Sequence, residues 1–208
     1  MTFIKKREKA VYRVAKKLAK KGVVRASTFT ENGLSSNDIR TLQERGEIQK
    51  IKRGFYRFKE SPIESRNSSL AEASIIVPKG VICLLSSLAF HEIGTQLPGK
   101  IWMAISRNSH VPKGDVSPVK ILRFSEKSFE TGVEYHDVSG IKVRVYSVEK
   151  TIADCFKYRN DLGLDVALEA LNDAHSENLI TMDDLVACSK VNRVYSVMKP
   201  YLEGLMYG

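Results

Sequence analysis

Ser36, Asn37, Arg40 and Thr41 place two hydroxyls, an amide and a guanidinium within six positions. These are groups that read base edges in a DNA groove, and Arg40 is able to contact guanine O6 and N7 bidentately. A second set follows closely: Lys50, Lys52, Arg53 and Arg57. Ammonium and guanidinium groups of this kind suit phosphate oxygens, which fix a protein on the duplex without reading sequence. One set for bases and one for backbone is the chemistry of nucleic-acid binding.

Those side chains need a helix and a hairpin to hold them. In GLSSNDIRTLQERGEIQKIKRGFYRF, residues 33–58, Leu34, Ile39 and Leu42 are apolar at helical spacing, and Ser35 stands three residues before Asp38. The Ser-x-x-Asp pattern predicts a side-chain cap with acidic charge in the first turn of a helix over 36–45. Ile39 and Leu42 then face inward, with Asn37, Arg40, Thr41 and Glu44 on the opposite face. Gly46 lets the chain leave the helix. Beyond it the period becomes two, with Ile48, Lys50 and Lys52 facing one way and Gln49, Ile51 and Arg53 the other. Gly54 leads into the aromatic strand Phe55–Phe58. Upstream, an amphipathic helix over Ile4–Lys20 carries Val11, Val14, Ala15 and Leu18 on one face and lysine and arginine on the other. A short strand over Val23–Ala26 and a turn or two of helix over Ser27–Asn32 precede the Gly33-Leu34 corner. The expected unit is a winged helix-turn-helix, with its helix in the major groove and its wing on the backbone.

A small α+β domain with solvated lysines would share some of these features, but the charge distribution argues against it. Residues 1–60 hold 17 Lys and Arg against 6 Asp and Glu, a net +11, which leaves −2 for the rest of a chain whose total is +9. Such segregation is the electrostatic footprint of a nucleic-acid binder. With 43% hydrophobic residues among 208, the chain has enough apolar material for a core. It shows no apolar run long enough to span a bilayer and no signal-peptide pattern, and Cys83, Cys155 and Cys188 form no CxxC pair. A cytoplasmic protein with reduced thiols is expected.

Residues 59–69, KESPIESRNSS, read as a linker, so the division is 1–60 for the DNA-binding domain, 61–69 for the linker and 70–208 for a second domain. In the latter, LAEASIIVP is a helix closed by Pro78, Gly80–Leu85 a buried strand, and Ser86 or Ser87 the cap of a helix reaching Ile93. Strands are expected at 101–106 and 119–125, with a loop containing Pro112, Gly114 and Pro118 between them. A hairpin over 132–147 turns at Ser139-Gly140, and helices follow at 148–159, 164–175, 181–190 and 193–206. The fold class is α+β, an N-terminal winged helix-turn-helix followed by an α+β domain with a helical tail. The four histidines are scattered, and no GxSxG, GxxxxGK[ST] or GxGxxG occurs. Asp154, Asp161 and Asp165 read better as helix caps and solvated charges than as the metal-holding carboxylates of a nuclease. No enzyme, cofactor or metal site is expected.

Three stretches together resemble the AbiEi family, the antitoxin half of bacterial type IV abortive-infection toxin–antitoxin systems. They are residues 33–58, the segment LLSSLAFHEIGTQLPGKIWMAIS at 84–106, and VRVYSVEKTIADCFKYRNDLGLDVALEAL at 143–171. Val148 replaces the proline of the family's VYSPxKT, a favoured first helical residue rather than a necessary one. The resemblance implies repression of its own operon through operator double-stranded DNA, bound as a monomer or weak dimer. It also implies that the second domain counters a nucleotidyltransferase-like toxin without a stable complex. Tyr146, Lys150, Thr151 and Asp154 match the family's recognisable motif, in packing and capping roles rather than catalytic ones. Two other readings stay open: a stand-alone ligand-responsive regulator with no toxin partner, and a nuclease.

Overall fold

The computed structural model describes residues 2–59, 66–112, 118–138 and 140–207. The chain divides into two compact units, residues 1–78 with 137–141 and residues 79–136 with 142–208.

The first unit opens with α1 (Thr2–Ala19), β1 (Val23–Arg25), α2 (Ala26–Glu31) and α3 (Ser36–Glu44). Gly33, at φ +82°, makes the corner between α2 and α3, where a side chain would be strained. The chain then forms β2 (Ile48–Lys52) and β3 (Phe55–Phe58), giving an antiparallel sheet in the order β1-β3-β2. Ala15 and Leu18 of α1, Phe29 of α2, Leu34, Ile39 and Leu42 bury one side of this sheet together with Ile48 and Phe58. Phe29 is wholly buried and meets the rings of Tyr56 and Phe58 at 5.8 and 5.9 Å. The side chains of Ile4, Lys5 and Lys6, where the expected α1 stripe begins, lie outside the described residues.

The helix α4 (Arg66–Ile76) also belongs to the first unit. It lies against β1 and β2, and Glu72 and the Ile75 carbonyl reach the face of the sheet opposite the helical core. The expected second domain at 70–208 therefore begins too early: the division falls after Pro78. Residues 61–65 of the expected linker lie outside the described residues, and 66–69 are the first turn of α4. Composition misleads here because a serine-rich turn precedes the residues that pack, Leu70, Ala71 and Ile75, all buried.

The second unit is α+β. Its sheet has the order β6-β5-β4-β8-β7, from β4 (Val81–Ile82), β5 (Ile101–Ser106), β6 (Val119–Phe124), β7 (Val133–Val138) and β8 (Ile141–Tyr146). Strands β5 and β6 are parallel, and β4 runs antiparallel to β5 and parallel to β8. The loop residues 113–117 and Ser139 of the expected hairpin turn lie outside the described residues. Helices α5 (Leu84–Phe90), α6 (Glu126–Glu130), α7 (Val148–Lys157), α8 (Arg159–Leu162), α9 (Leu164–Ser176), α10 (Met182–Asn192) and α11 (Tyr195–Tyr207) complete it. The core joins Phe124, Tyr146, Ile152, Phe156, Ala170, Leu185 and Met198.

Two expectations need correction. The strand over 80–85 is cut to two residues because α5 starts at Leu84, with Cys83 at its cap position. Ser86 and Ser87 do not cap α5: Ser86 Oγ accepts from the Trp102 N–H at 2.9 Å, and Ser87 Oγ donates to the Tyr146 carbonyl at 3.1 Å. Both hydroxyls instead tie the helix to the sheet. Among the described residues no helix is long and apolar enough to cross a membrane.

Candidate nucleic-acid interface

Ser35 caps α3 as its spacing implies. Its Oγ accepts from the Asp38 N–H at 3.3 Å, and the Asp38 carboxylate accepts from the Ser35 N–H at 2.7 Å, a reciprocal pair that satisfies two otherwise free donors. Arg7 of α1 reaches the same carboxylate at 2.6 Å, and Arg45 at the other end of α3 meets Glu8 at 2.9 Å. Asp38 is held down at about pKa 2, chiefly by its hydrogen bond to Arg7, against the opposing effect of desolvation. Two ion pairs thus brace α1 along the flank of α3. Sequence reading missed Arg7, Glu8 and Arg45 in this role, since no local spacing links residues more than thirty positions apart.

With Ile39 and Leu42 in the core, Ser36, Asn37, Arg40, Thr41 and Glu44 all lie exposed. Their groups are not equally free. Thr41 Oγ1 donates to the Asn37 carbonyl at 3.0 Å, so its proton is used within the helix. Arg40 pairs with Glu44 at 2.8 Å, both well exposed (77% and 61%), a contact of the weak kind that a stronger acceptor displaces. Ser36 and Asn37 stand open to solvent.

The hairpin sorts its four cations into two pairs. Cross-strand partners share a face, and the register runs Ile48↔Phe58, Gln49↔Arg57, Lys50↔Tyr56, then shifts to Lys52↔Phe55. The extra residue, Ile51, is a bulge. It turns Lys52 onto the face of Gln49 and Arg57, so the expected alignment of Lys50 with Lys52 is incorrect. On that face Lys52 Nζ donates to the Ile75 carbonyl at 3.4 Å, and Arg57 donates to Gln49 at 2.8 Å and Glu72 at 3.2 Å. Lys50 and Arg53 are exposed, with no hydrogen-bond or ion-pair partner among the described residues. Lys50 and Arg53 are therefore the hairpin charges open to a phosphate.

In the second unit the motif residues Tyr146, Lys150, Thr151 and Asp154 are all wholly buried. Ser147 caps α7 by accepting from the Lys150 N–H at 3.3 Å. One helical turn apart, Lys150 Nζ donates to both Asp154 oxygens at 2.6 and 2.5 Å. Asn192 Nδ2 adds a donor to Asp154 at 2.7 Å, and Ser128 Oγ donates to Asn192 Oδ1 at 2.7 Å. The Lys150 ammonium lies 4.2 Å from the Tyr146 ring and 4.8 Å from that of Phe124, within cation–π range. Burial pushes the Asp154 carboxyl above its ordinary pKa, with Lys150 and Asn192 opposing the rise. Tyr146 OH donates to the Phe129 carbonyl at 2.9 Å, its own carbonyl accepts from Ser87, and His91 Nε2 lies 2.7 Å from the same oxygen. Thr151 Oγ1 and Ser87 Oγ share a hydrogen bond of 2.8 Å. This arrangement fastens α7 to α5, α6, α10 and β8. Tyr146, Lys150, Thr151 and Asp154 themselves have no exposed surface, while His91 and Ser147 at the edge of the network are partly exposed.

The cysteines are free and buried, and burial raises all three thiols, that of Cys188 to about 11. Among the described residues, no three His, Cys, Asp or Glu are grouped as a metal ion requires.

Residues 12–59, from the middle of α1 to the end of the hairpin, match the family of AbiEi antitoxin transcriptional regulators. No curated protein matches the chain. Among solved structures, the RV2827C protein from Mycobacterium tuberculosis is similar in fold, with a TM-score of 0.57 at 14% identity over 94% of this chain and 81% of that one.

Proposed function

We propose, from an N-terminal segment of AbiEi antitoxin-regulator type, that the chain is the antitoxin of a type IV toxin–antitoxin system and represses its own operon. The first unit is a winged helix-turn-helix: α3 enters the major groove of operator DNA and the β2–β3 hairpin is the wing. Asn37 and Arg40, with Ser36 and Thr41 beside them, address base edges, and Lys50 and Arg53 address the phosphates. The observation that carries this reading is the capped, braced α3 whose exposed face joins an amide to a guanidinium, next to a hairpin with two unpartnered cations. Binding requires no backbone rearrangement, only exchange of Glu44 for a DNA acceptor at Arg40.

The second unit counters a nucleotidyltransferase-like toxin in the cytoplasm, without a lasting complex and without being an enzyme. Within it the buried Lys150–Asp154 pair is scaffold, tying α7 to α10 through Asn192. The chain binds its operator as a monomer or weak dimer.

The test separates the two roles. In cells making the neighbouring toxin from an unrelated promoter, the Lys50→Ala/Arg53→Ala protein should still rescue growth while failing to silence a reporter behind its own promoter. Loss of rescue together with repression would show that protection runs through DNA binding, and the division of roles would be abandoned.

A further inference from the structure

The sheet of the second unit sets an aromatic ring among cations where one of its faces emerges into solvent. Along β8, strand alternation places Lys142, Arg144 and Tyr146 on the same face. Exposure grades along that face: Tyr146 is wholly buried, Arg144 partly buried and Lys142 exposed. Tyr135 of the neighbouring strand β7 joins them and is 59% exposed. The Lys142 ammonium lies 4.1 Å from the centre of the Tyr135 ring, and the Arg144 guanidinium 6.0 Å from it. Both are within cation–π range.

Arg144 is fixed from behind. Its Nη1 donates to the Lys79 carbonyl at 3.0 Å, and its guanidinium lies 5.2 Å from the Phe129 ring. Its Nε is buried without an acceptor among the described residues, so the group is positioned while its donors are under-used. Neither Lys142 nor Arg144 has an ion-pair partner among the described residues. Asp137, the carboxylate nearest to Lys142 in sequence, accepts from the Gly140 N–H at 2.9 Å.

Lysine on an outermost strand often serves only to keep a sheet edge from pairing. That role does not account for this cluster, because β7 is the edge strand and both cations are on β8 inside it. An open ring beside two cations suits a ligand with two features at once, a flat π-face and a negative charge. A simple anion would leave the ring unused, and an apolar partner would leave the cations unused. A nucleotide carries both features in one residue, and stacking of bases on aromatic side chains beside basic groups is how unpaired nucleic acid is held. In a duplex the bases cover one another's faces, so only an unpaired base can lie on Tyr135.

We propose that Tyr135, Lys142 and Arg144 form a platform for an unpaired nucleotide, with its base stacked on Tyr135 and its phosphate met by the two cations. The ligand is a free nucleotide or a residue of a single strand, which share this chemistry. The proposal goes beyond the duplex interface of the first unit and does not rest on the antitoxin reading.

The full chain carrying Lys50→Ala/Arg53→Ala, which quiets the first unit, is titrated by calorimetry in three arms: ATP, a short single-stranded oligothymidine and a duplex of equal length. ATP or the single strand should bind more tightly than the duplex. Binding in the ATP arm assigns the site to a free nucleotide; binding in the oligothymidine arm alone assigns it to a single strand. Adding Tyr135→Leu should weaken that binding about tenfold, the loss of one stacked base, while Tyr135→Phe, which keeps the ring, should bind like its parent. Lys142→Gln should also weaken it, and in the single-strand arm should lower the log–log salt slope by about 0.7 for the lost phosphate contact. Tyr135 and Lys142 are exposed, so the melting temperatures of these variants should match that of their parent, which separates loss of binding from loss of fold. Absence of binding in both the ATP and oligothymidine arms overturns the site. So does duplex binding as tight as either, equal affinity of Tyr135→Leu and Tyr135→Phe, or no effect of Lys142→Gln.

Discussion

In the first unit Arg40, Lys50 and Arg53 stand in solvent on a capped helix and a hairpin, while in the second Lys150 and Asp154 have no exposed side-chain surface. Both regions contain charged residues at recognisable spacing, and the surrounding structure gives them opposite uses. Exposed cations held by a rigid scaffold remain available to a partner of opposite charge. A buried pair with its hydrogen bonds satisfied joins elements and fixes their register. The spacing of a motif therefore does not say whether its residues recognise or support.

The comparison breaks first at the buried pair. Lys150→Met strands the Asp154 carboxylate in the core and should destabilise the fold by about 3–5 kcal/mol, measured by denaturant unfolding. Lys150→Met/Asp154→Leu should recover most of that loss, because no lone charge remains. If the single variant is as stable as the parent, the pair does not hold the unit together.

A smaller effect is expected next to it. Gly132 has φ +68°, and a Cβ there would lie 2.6 Å from Lys150 Cβ. Gly132→Ala should cost roughly 1–3 kcal/mol from backbone strain and crowding, with DNA affinity unchanged. A neutral outcome would mean that β7 and α7 are loosely joined.

The smallest effect concerns the cap of α3. Ser35→Ala should cost about 1 kcal/mol. Asp38 has its folded pKa lowered to about 2, so its contribution is fully present above its ordinary value of 3.8 and is lost as the pH falls through about 2. The melting temperature of the parent should drop over that interval more steeply than that of Asp38→Asn. Parallel curves would remove the Arg7–Asp38 brace from the account.

Much of the first unit was legible because its signals are local. The Ser35-x-x-Asp38 box, the inward Ile39 and Leu42 and the change to a period of two each lie within a few residues. The bulge at Ile51 was not legible, since alternation continues through it in sequence while the register shifts in space, and Lys52 changed face with it. Nor was the place of α4: LAEASIIVP read as a helix, but its start at Arg66 and its belonging to the first unit become legible only once there is a sheet for its apolar residues to cover. In the second unit Asp154 read as a helix cap or solvated charge, and Lys150 only as a member of a packing and capping motif. Their four-residue spacing within VEKTIADCFK, apolar at Val148, Ile152, Ala153, Cys155 and Phe156, was the one available sign of a buried pair. Asn192 and Ser128, which complete the network, are too distant in sequence to have been found.

The central claim, that α3 reads bases and the hairpin holds phosphates, is tested most directly by titrating salt against DNA affinity, using the region upstream of the chain's own gene and a random duplex of equal length. Lys50→Ala/Arg53→Ala should weaken both DNAs and lower the log–log salt slope by about 0.9 per lost phosphate contact. Lys52→Ala, whose ammonium already donates to Ile75, should change the slope less. Arg40→Ala should cost roughly 1–3 kcal/mol on the upstream region and little on random DNA. Equal losses from Arg40→Ala on both DNAs, with a salt slope untouched by Lys50→Ala/Arg53→Ala, would contradict the assignment.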